Sequence, residues 1–222
     1  MRTEADENYL KEIYTLEQEQ SPVSTSSLAR RFGFSPATIT GMLKKLHALG
    51  WVEYEPYQGV TLTETGRRLA LKVLRRHRLI ETFLVQVLHV PWEQVHGEAE
   101  RLEHAVSDTL EERVDDLLGH PTVDPHGSPI PPRGGGAPGA SPRLRLADLP
   151  AGARAVIAEV NDRDAALLSR LQQAGLQPNA AFQVERVEPL DGLVTIRVGR
   201  QTCTFGPAAA GQIFVRAVDE KD

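Results

Sequence analysis

The sequence predicts a mainly α chain with β elements: an N-terminal winged helix-turn-helix, a central helical domain and a C-terminal SH3-like small β-barrel. Three features of the 222 residues carry this expectation. Apolar residues recur at three- and four-residue spacing through the first half, interrupted by one short alternating hairpin. A stretch with Pro131-Pro132 and Gly134-Gly135-Gly136 follows, where no regular element is expected. Beyond it, short alternating runs separated by turn residues read as a small antiparallel barrel. The expected boundaries are 1–74, 75–120, a linker at 121–147, and 148–222.

Tyr9, Leu10, Ile13, Tyr14 and Leu16 define a first helix that ends near Ser21-Pro22. A second runs from about Ser26 to Phe32. Gly33 then supplies the turn before Ser35-Pro36, a favoured pair for the N-cap and first position of a third helix. In that helix Ile39, Leu43 and Leu46 share one face, leaving Ala37, Thr38, Thr40, Gly41 and Lys44 on or near the other. Val52 to Tyr54 and Val60 to Thr63 flank Glu55 to Gly59 and predict a hairpin, the wing. A long helix from Glu64 to about Leu88 should break at His89-Val90-Pro91, with another from Trp92 to Leu118. In the tail, Ala155 to Val160, Phe182 to Val187, Leu193 to Val198, Thr202 to Phe205 and Ile213 to Val218 read as strands. Ala165 to Gln173 reads as a helix and Asp191-Gly192 as a hairpin turn.

The apolar runs are too short to cross a bilayer, and the charged start lacks the apolar core of a signal peptide, so a cytoplasmic protein is expected. The single Cys203 excludes an internal disulfide and a thiolate metal cluster within one chain, so any metal site must use His and carboxylates. The formal net charge of −5 is unevenly spread. Arg30 to Arg78 is rich in Arg and Lys, whereas Glu81 to Asp116 is rich in Glu and Asp. The first segment suits an anionic partner and the second a cation.

A helix-turn-helix with a wing places its second helix in the DNA major groove and uses helix N-termini and the wing on phosphates. The candidate DNA-binding residues are Thr25, Ser26, Ser35, Ala37, Thr38, Thr40, Gly41 and Lys44, with Tyr57 and Gln58 in the wing. Small side chains here point to thymine-methyl contacts and DNA shape as sources of specificity.

The densest chemistry lies in His77 to Glu81 and His96 to His104. His77 and Glu81 are four residues apart and share a helix face. At about 100° per residue, His96, Glu100, Glu103 and His104 fall on one stripe of a continuous helix. Imidazole and carboxylate together suit Mn(II), Fe(II), Co(II) or Zn(II). The zinc-protease patterns HExxH and HxxEH are absent, and no catalytic residue or organic substrate is expected. Two rival readings are a winged-helix regulator with a non-metal effector and a metal-dependent hydrolase.

These residues in this order resemble the diphtheria-toxin-repressor family of iron- and manganese-dependent regulators over essentially the whole chain. The resemblance rests on Tyr9-Leu10 to Tyr14, Ser35 to Leu46, Thr63 to Gly66, His77 to Glu81, Glu103-His104, Gly127 to Pro131 and the β tail. It implies a metal-dependent repressor that binds operator DNA as a homodimer through the central domain, with a FeoA-like tail, in control of metal homeostasis. It also implies a primary site of Glu100, Glu103 and His104 with Asn8 from the first helix, and a second site of His77, Glu81 and His96, to which the tail adds Glu159 and Asp162. Glu at position 100, where iron-type members carry Cys, resembles the manganese branch. The implied cofactor is Mn(II), with Fe(II) as the other candidate and Zn(II), Co(II) or Cd(II) as substitutes in vitro. Glu7 adjoins Asn8 but is expected to point about 100° away from it.

Overall fold

The computed structural model describes residues 3–139 and 144–218. They divide into two compact units. The first holds the chain up to His77 together with Glu103–Val106 and Pro131–Pro138, and the second holds Arg78–Leu102, Ser107–Ile130 and the residues from 139 onward. Within the expected linker at 121–147, positions 140–143 lie outside the described residues.

The first unit begins with α1 (Glu4–Glu17), capped by a reciprocal Thr3–Asp6 box, followed by α2 (Thr25–Phe32) and α3 (Pro36–Ala48). Gly33, at φ 68, ends α2 in the left-handed region that a Cβ disfavours. Ser35 accepts a hydrogen bond from the Thr38 amide, and Pro36 opens α3 where its missing N–H costs nothing. Strands β1 (Val52–Glu55) and β2 (Gly59–Leu62) pair antiparallel as the wing. Leu10, Ile13, Leu28, Ile39, Leu43, Leu46, Val60 and Ala70 are fully buried together, so the apolar faces read from spacing are the faces that pack.

Helix α4 (Glu64–Gln86) is continuous and passes from the first unit into the second between His77 and Arg78. The second unit continues with α5 (Val95–Leu102) and α6 (Asp108–Leu117). This corrects the expected single helix from Trp92 to Leu118: α5 stops at Leu102, Glu103 to Ala105 form a turn, and Ser107 caps α6 by accepting from the Leu110 amide. The stripe of His96, Glu100, Glu103 and His104 therefore does not exist as one helix face.

The tail strands β3 (Arg154–Val160), β4 (Ala181–Val187), β5 (Val194–Val198), β6 (Gln201–Phe205) and β7 (Ile213–Ala217) form an antiparallel sheet in the order β6-β5-β4-β3-β7. Helices α7 (Ala165–Gln173) and α8 (Pro207–Ala210) complete it. Ile157, Leu168, Leu171, Val184, Ile196, Phe205 and Ile213 form its core, which Trp92 joins. Among the described residues, no helix is long and apolar enough to cross a membrane.

Candidate metal centres and nucleic-acid interface

In the second unit, four chain segments bring acidic and imidazole side chains together. Glu81 comes from α4, His96 from α5, Asp162 from the loop after β3, and Asp124 and His126 from the turn before Ile130. Donor atoms of Glu81, Asp124 and His126 lie within 4.8 Å of one another, as do those of Glu81, His96 and Asp162. Glu81, Asp124 and His126 are all buried.

The turn is built to aim these groups. Asp124 Oδ1 accepts the amides of His126 (2.8 Å) and Ser128 (2.9 Å), which closes the turn. The His126 ring stacks on Trp92 at 5.4 Å, and its Nε2 donates to the Trp92 carbonyl at 2.9 Å. A carbonyl can only accept, so the proton is fixed on Nε2 and Nδ1 is left facing Glu81 Oε2 at 3.7 Å. Gly127 has φ 90, and a Cβ there would come 2.0 Å from the Ala158 carbonyl oxygen. Its absence lets the turn lie against β3, where the Val160 amide donates to the His126 carbonyl (2.9 Å) and Ser128 Oγ donates to Glu159 (2.6 Å). Over these residues the expected structureless linker is an ordered, buried turn. Its Pro and Gly content signals turn chemistry as readily as flexibility.

The electrostatics are those of a centre crowded with carboxylates. Asp124 Oδ2 and His126 Nδ1 are buried without a hydrogen-bond partner among the described residues, although Arg78 Nε stands 3.5 Å from that Asp124 oxygen. Burial pushes the Asp124 carboxyl up to about 7, with the Glu81 carboxylate adding to the rise. Burial alone would lower the two imidazoles. The neighbouring carboxylates reverse this, raising His96, beside Asp162 and Glu81, to about 10, and His126, facing Glu81, to about 9. Burial would raise Asp162, but His96 at 3.2 Å holds it well below the usual carboxylate range. Glu100 Oε1 stands 3.6 Å from His96 Nε2. Glu159 is engaged with Ser128 rather than grouped with these donors.

A second cluster lies in the first unit, where Glu103 and His104 meet α1. His104 Nδ1 is 2.5 Å from Glu7 Oε2, and its Nε2 is 2.9 Å from Asn8 Oδ1. The expectation that Glu7 points away from Asn8 is corrected: both reach His104, because one imidazole presents nitrogens on opposite edges. Fully buried Glu103 takes Lys11 Nζ at 2.6 Å on one oxygen and His77 Nδ1 at 2.5 Å on the other. Burial would raise Glu103, and His77 with Lys11 overcomes that to hold it below its ordinary value. His77 Nδ1 on α4 thus contacts Glu103.

Sequence reasoning missed Asp124, His126 and Lys11. A signal for the first two exists in Asp124-Pro125-His126-Gly127-Ser128, where an acid and an imidazole flank a turn, but the surrounding Pro and Gly composition predicts a linker.

On the nucleic-acid side, Ser26, Ser35, Ala37, Thr38, Gly41 and Lys44 are exposed, and Thr25 and Thr40 are partly so. Tyr57 and Gln58 are exposed at the wing tip, where Tyr57 adopts φ 69. The Ser35 hydroxyl is already occupied in capping α3, at 2.9 Å from the Thr38 hydroxyl.

Residues 1–60 match the family described as iron-dependent repressor, N-terminal DNA-binding domain. Residues 63–132 match its metal-binding and dimerisation domain, and residues 144–217 match the FeoA domain. The iron-dependent repressor IdeR of Mycobacterium bovis is 35% identical over 223 residues, covering 96% of each chain. A manganese-dependent transcriptional repressor solved in complex with manganese has a TM-score of 0.89 and 38% identity, covering 96% of this chain and 100% of that one. ScaR solved with bound Zn2+ has a TM-score of 0.83 and 33% identity, covering 96% and 99%. The chain belongs to the diphtheria-toxin-repressor family of metal-dependent transcriptional repressors.

Proposed function

We propose that the effector of this repressor is Mn(II), with Fe(II) the alternative and Zn(II), Co(II) or Cd(II) substituting in vitro. It would load two centres and so let a cytoplasmic homodimer bind double-stranded operator DNA at genes of metal homeostasis. The observation that carries the reading is the buried Asp124 Oδ2 and His126 Nδ1 beside Glu81, neither with a hydrogen-bond partner among the described residues. A buried carboxyl pushed up to about 7 is a costly feature that a cation in contact would reverse. Carboxylate and imidazole donors without thiolate fit a borderline-to-hard divalent ion.

The residues have distinct roles. Glu81, Asp124 and His126 form the first centre, with His96 and Asp162 at its side. Glu159 positions the turn through Ser128. Glu103, His104 and Asn8 form the α1 centre, in which His77 orients Glu103 and Glu7, on the opposite edge of the ring, orients His104. A bound divalent cation supplies the positive charge that holds such carboxylates together. The chain's own part is to recruit donors from separate segments, so that filling the first centre ties the loop after β3 to α4, α5 and the 124–128 turn. At the α1 centre, Glu103 and His104 fasten their segment to the helix that packs on α2, in the domain that carries the DNA-facing α3. Two such heads held at a fixed separation meet two operator half-sites. Ser35 at the α3 N-terminus, Thr25 and Ser26 at that of α2, Lys44 on α3, and Tyr57 and Gln58 in the wing would contact phosphates, with Ala37, Thr38, Thr40 and Gly41 facing the groove.

The test is operator anisotropy with metal-stripped protein at fixed ionic strength, together with Mn2+ uptake per chain. Mn2+ is expected to induce binding where Mg2+ does not, Asp124→Ala to remove one uptake event, and Glu103→Gln another. Glu100→Gln reads which of the two events that carboxylate serves. Equal DNA affinity in chelator and in Mn2+ would replace the metal with a non-metal effector.

A further inference from the structure

The α1 cluster holds a charge that a metal centre does not need. Lys11 follows Glu7 by one helical turn and Asn8 by three residues, so all three project from one face of α1 towards Glu103 and His104. Its ammonium lies 2.6 Å from Glu103 Oε1 with only 4% of the side chain exposed, against 0% for Glu103. The same oxygen stands 3.4 Å from His104 Nε2. Glu103 Oε1 therefore both faces the His104 imidazole and is already held by a cation. The acidic charge of the cluster is answered here by a resident positive charge.

We propose that Lys11 is a built-in competitor of the α1 centre, and that a divalent cation loads there by displacing its ammonium from Glu103, so that Lys11 sets the metal threshold. This rests on the reading of Asn8, Glu103 and His104 as a metal centre. The physical basis is direct. An ammonium and a divalent ion on one carboxylate oxygen repel each other in a site that water does not screen. Lysine can yield the place, because its charge sits at the end of a flexible four-carbon stem rather than on a rigid fork. The exchange subtracts the Lys11–Glu103 interaction from every loading event, so weakly held ions fail to load and the response moves to higher metal concentration. Lys11 also neutralises Glu103 in the unloaded protein, which keeps the centre assembled before metal arrives.

Two measurements on the full chain test this. In the first, Mn2+ affinity is measured for wild type, Lys11→Met, Lys11→Arg and Glu103→Gln, with the α1 event identified as the one Glu103→Gln removes. Lys11→Met is expected to tighten that event about tenfold or more, to leave the other event unchanged and to lower the unfolding midpoint in chelator, while Lys11→Arg stays near wild type. A folded Lys11→Met protein with unchanged or weaker affinity overturns the proposal. In the second, wild type is labelled with an amine-specific reagent in chelator and in saturating Mn2+, with exposed Lys44 as the internal control and mass spectrometry as the readout. Lys11 should be protected in chelator and labelled in Mn2+; protection in both overturns the exchange even if Lys11→Met does not fold. Absence of any Glu103-dependent Mn2+ uptake in all variants is a different result: it removes the centre itself, and the exchange with it.

Discussion

Gly127→Ala changes one methyl group and should disconnect one of the proposed metal centres. At φ 90 an L-residue carries backbone strain of about 1–2 kcal/mol. The new Cβ would lie 2.0 Å from the Ala158 carbonyl oxygen, and backbone cannot move aside as a flexible side-chain tip can. The 124–128 turn must then lift from β3, losing the Val160 amide's bond to the His126 carbonyl and the Ser128–Glu159 bond, each about 1 kcal/mol net. Together the loss is about 3–4 kcal/mol, a large share of a typical domain's stability. Since Asp124 and His126 ride on that turn, metal binding at their centre should fall with it. The assay is denaturant unfolding in chelator beside Mn2+ stoichiometry. Destabilisation below about 1 kcal/mol with wild-type stoichiometry would show that the close approach to β3 does not position the donors.

Three further outcomes are expected. Lys45→Ala leaves fully buried Asp6 without the ammonium 2.5 Å away, and should destabilise the first unit by about 1–2 kcal/mol in equilibrium unfolding. Burial would raise Asp6, but Lys45 and the Thr3 hydrogen bonds hold it below its ordinary value. A depressed folded-state pKa contributes stability above the unfolded value and loses it as pH falls through the folded one, so Lys45→Ala should move acid unfolding to higher pH, as followed by circular dichroism. Lys44→Ala, at an exposed position on α3, should weaken operator binding uniformly across sequences and reduce the slope of log K against log salt by about 1. Operator DNA should tighten Mn2+ binding by the same factor by which Mn2+ tightens operator binding; calorimetry of Mn2+ with and without DNA checks this, and equal affinities would break the linkage.

The helix-turn-helix, the wing and the tail strands were legible because each is local. Ile39, Leu43 and Leu46 mark a face by spacing alone, Ser35-Pro36 starts a helix through its own chemistry, and Gly33 ends one by lacking a Cβ. The donor types were legible for the same reason, since residue identity limits which ions a site can hold. Tertiary structure alone decided how the donors divide. Glu103 and His104 left the stripe predicted with His96 and Glu100 because α5 ends at Leu102, and the turn that follows delivers them to Glu7, Asn8 and Lys11. Asp124 and His126 joined Glu81 because Gly127 lets their turn lie on β3. Partners such as Lys11 and Glu103 stand 92 positions apart, and no periodicity within a helix or strand reports on a distance set by packing.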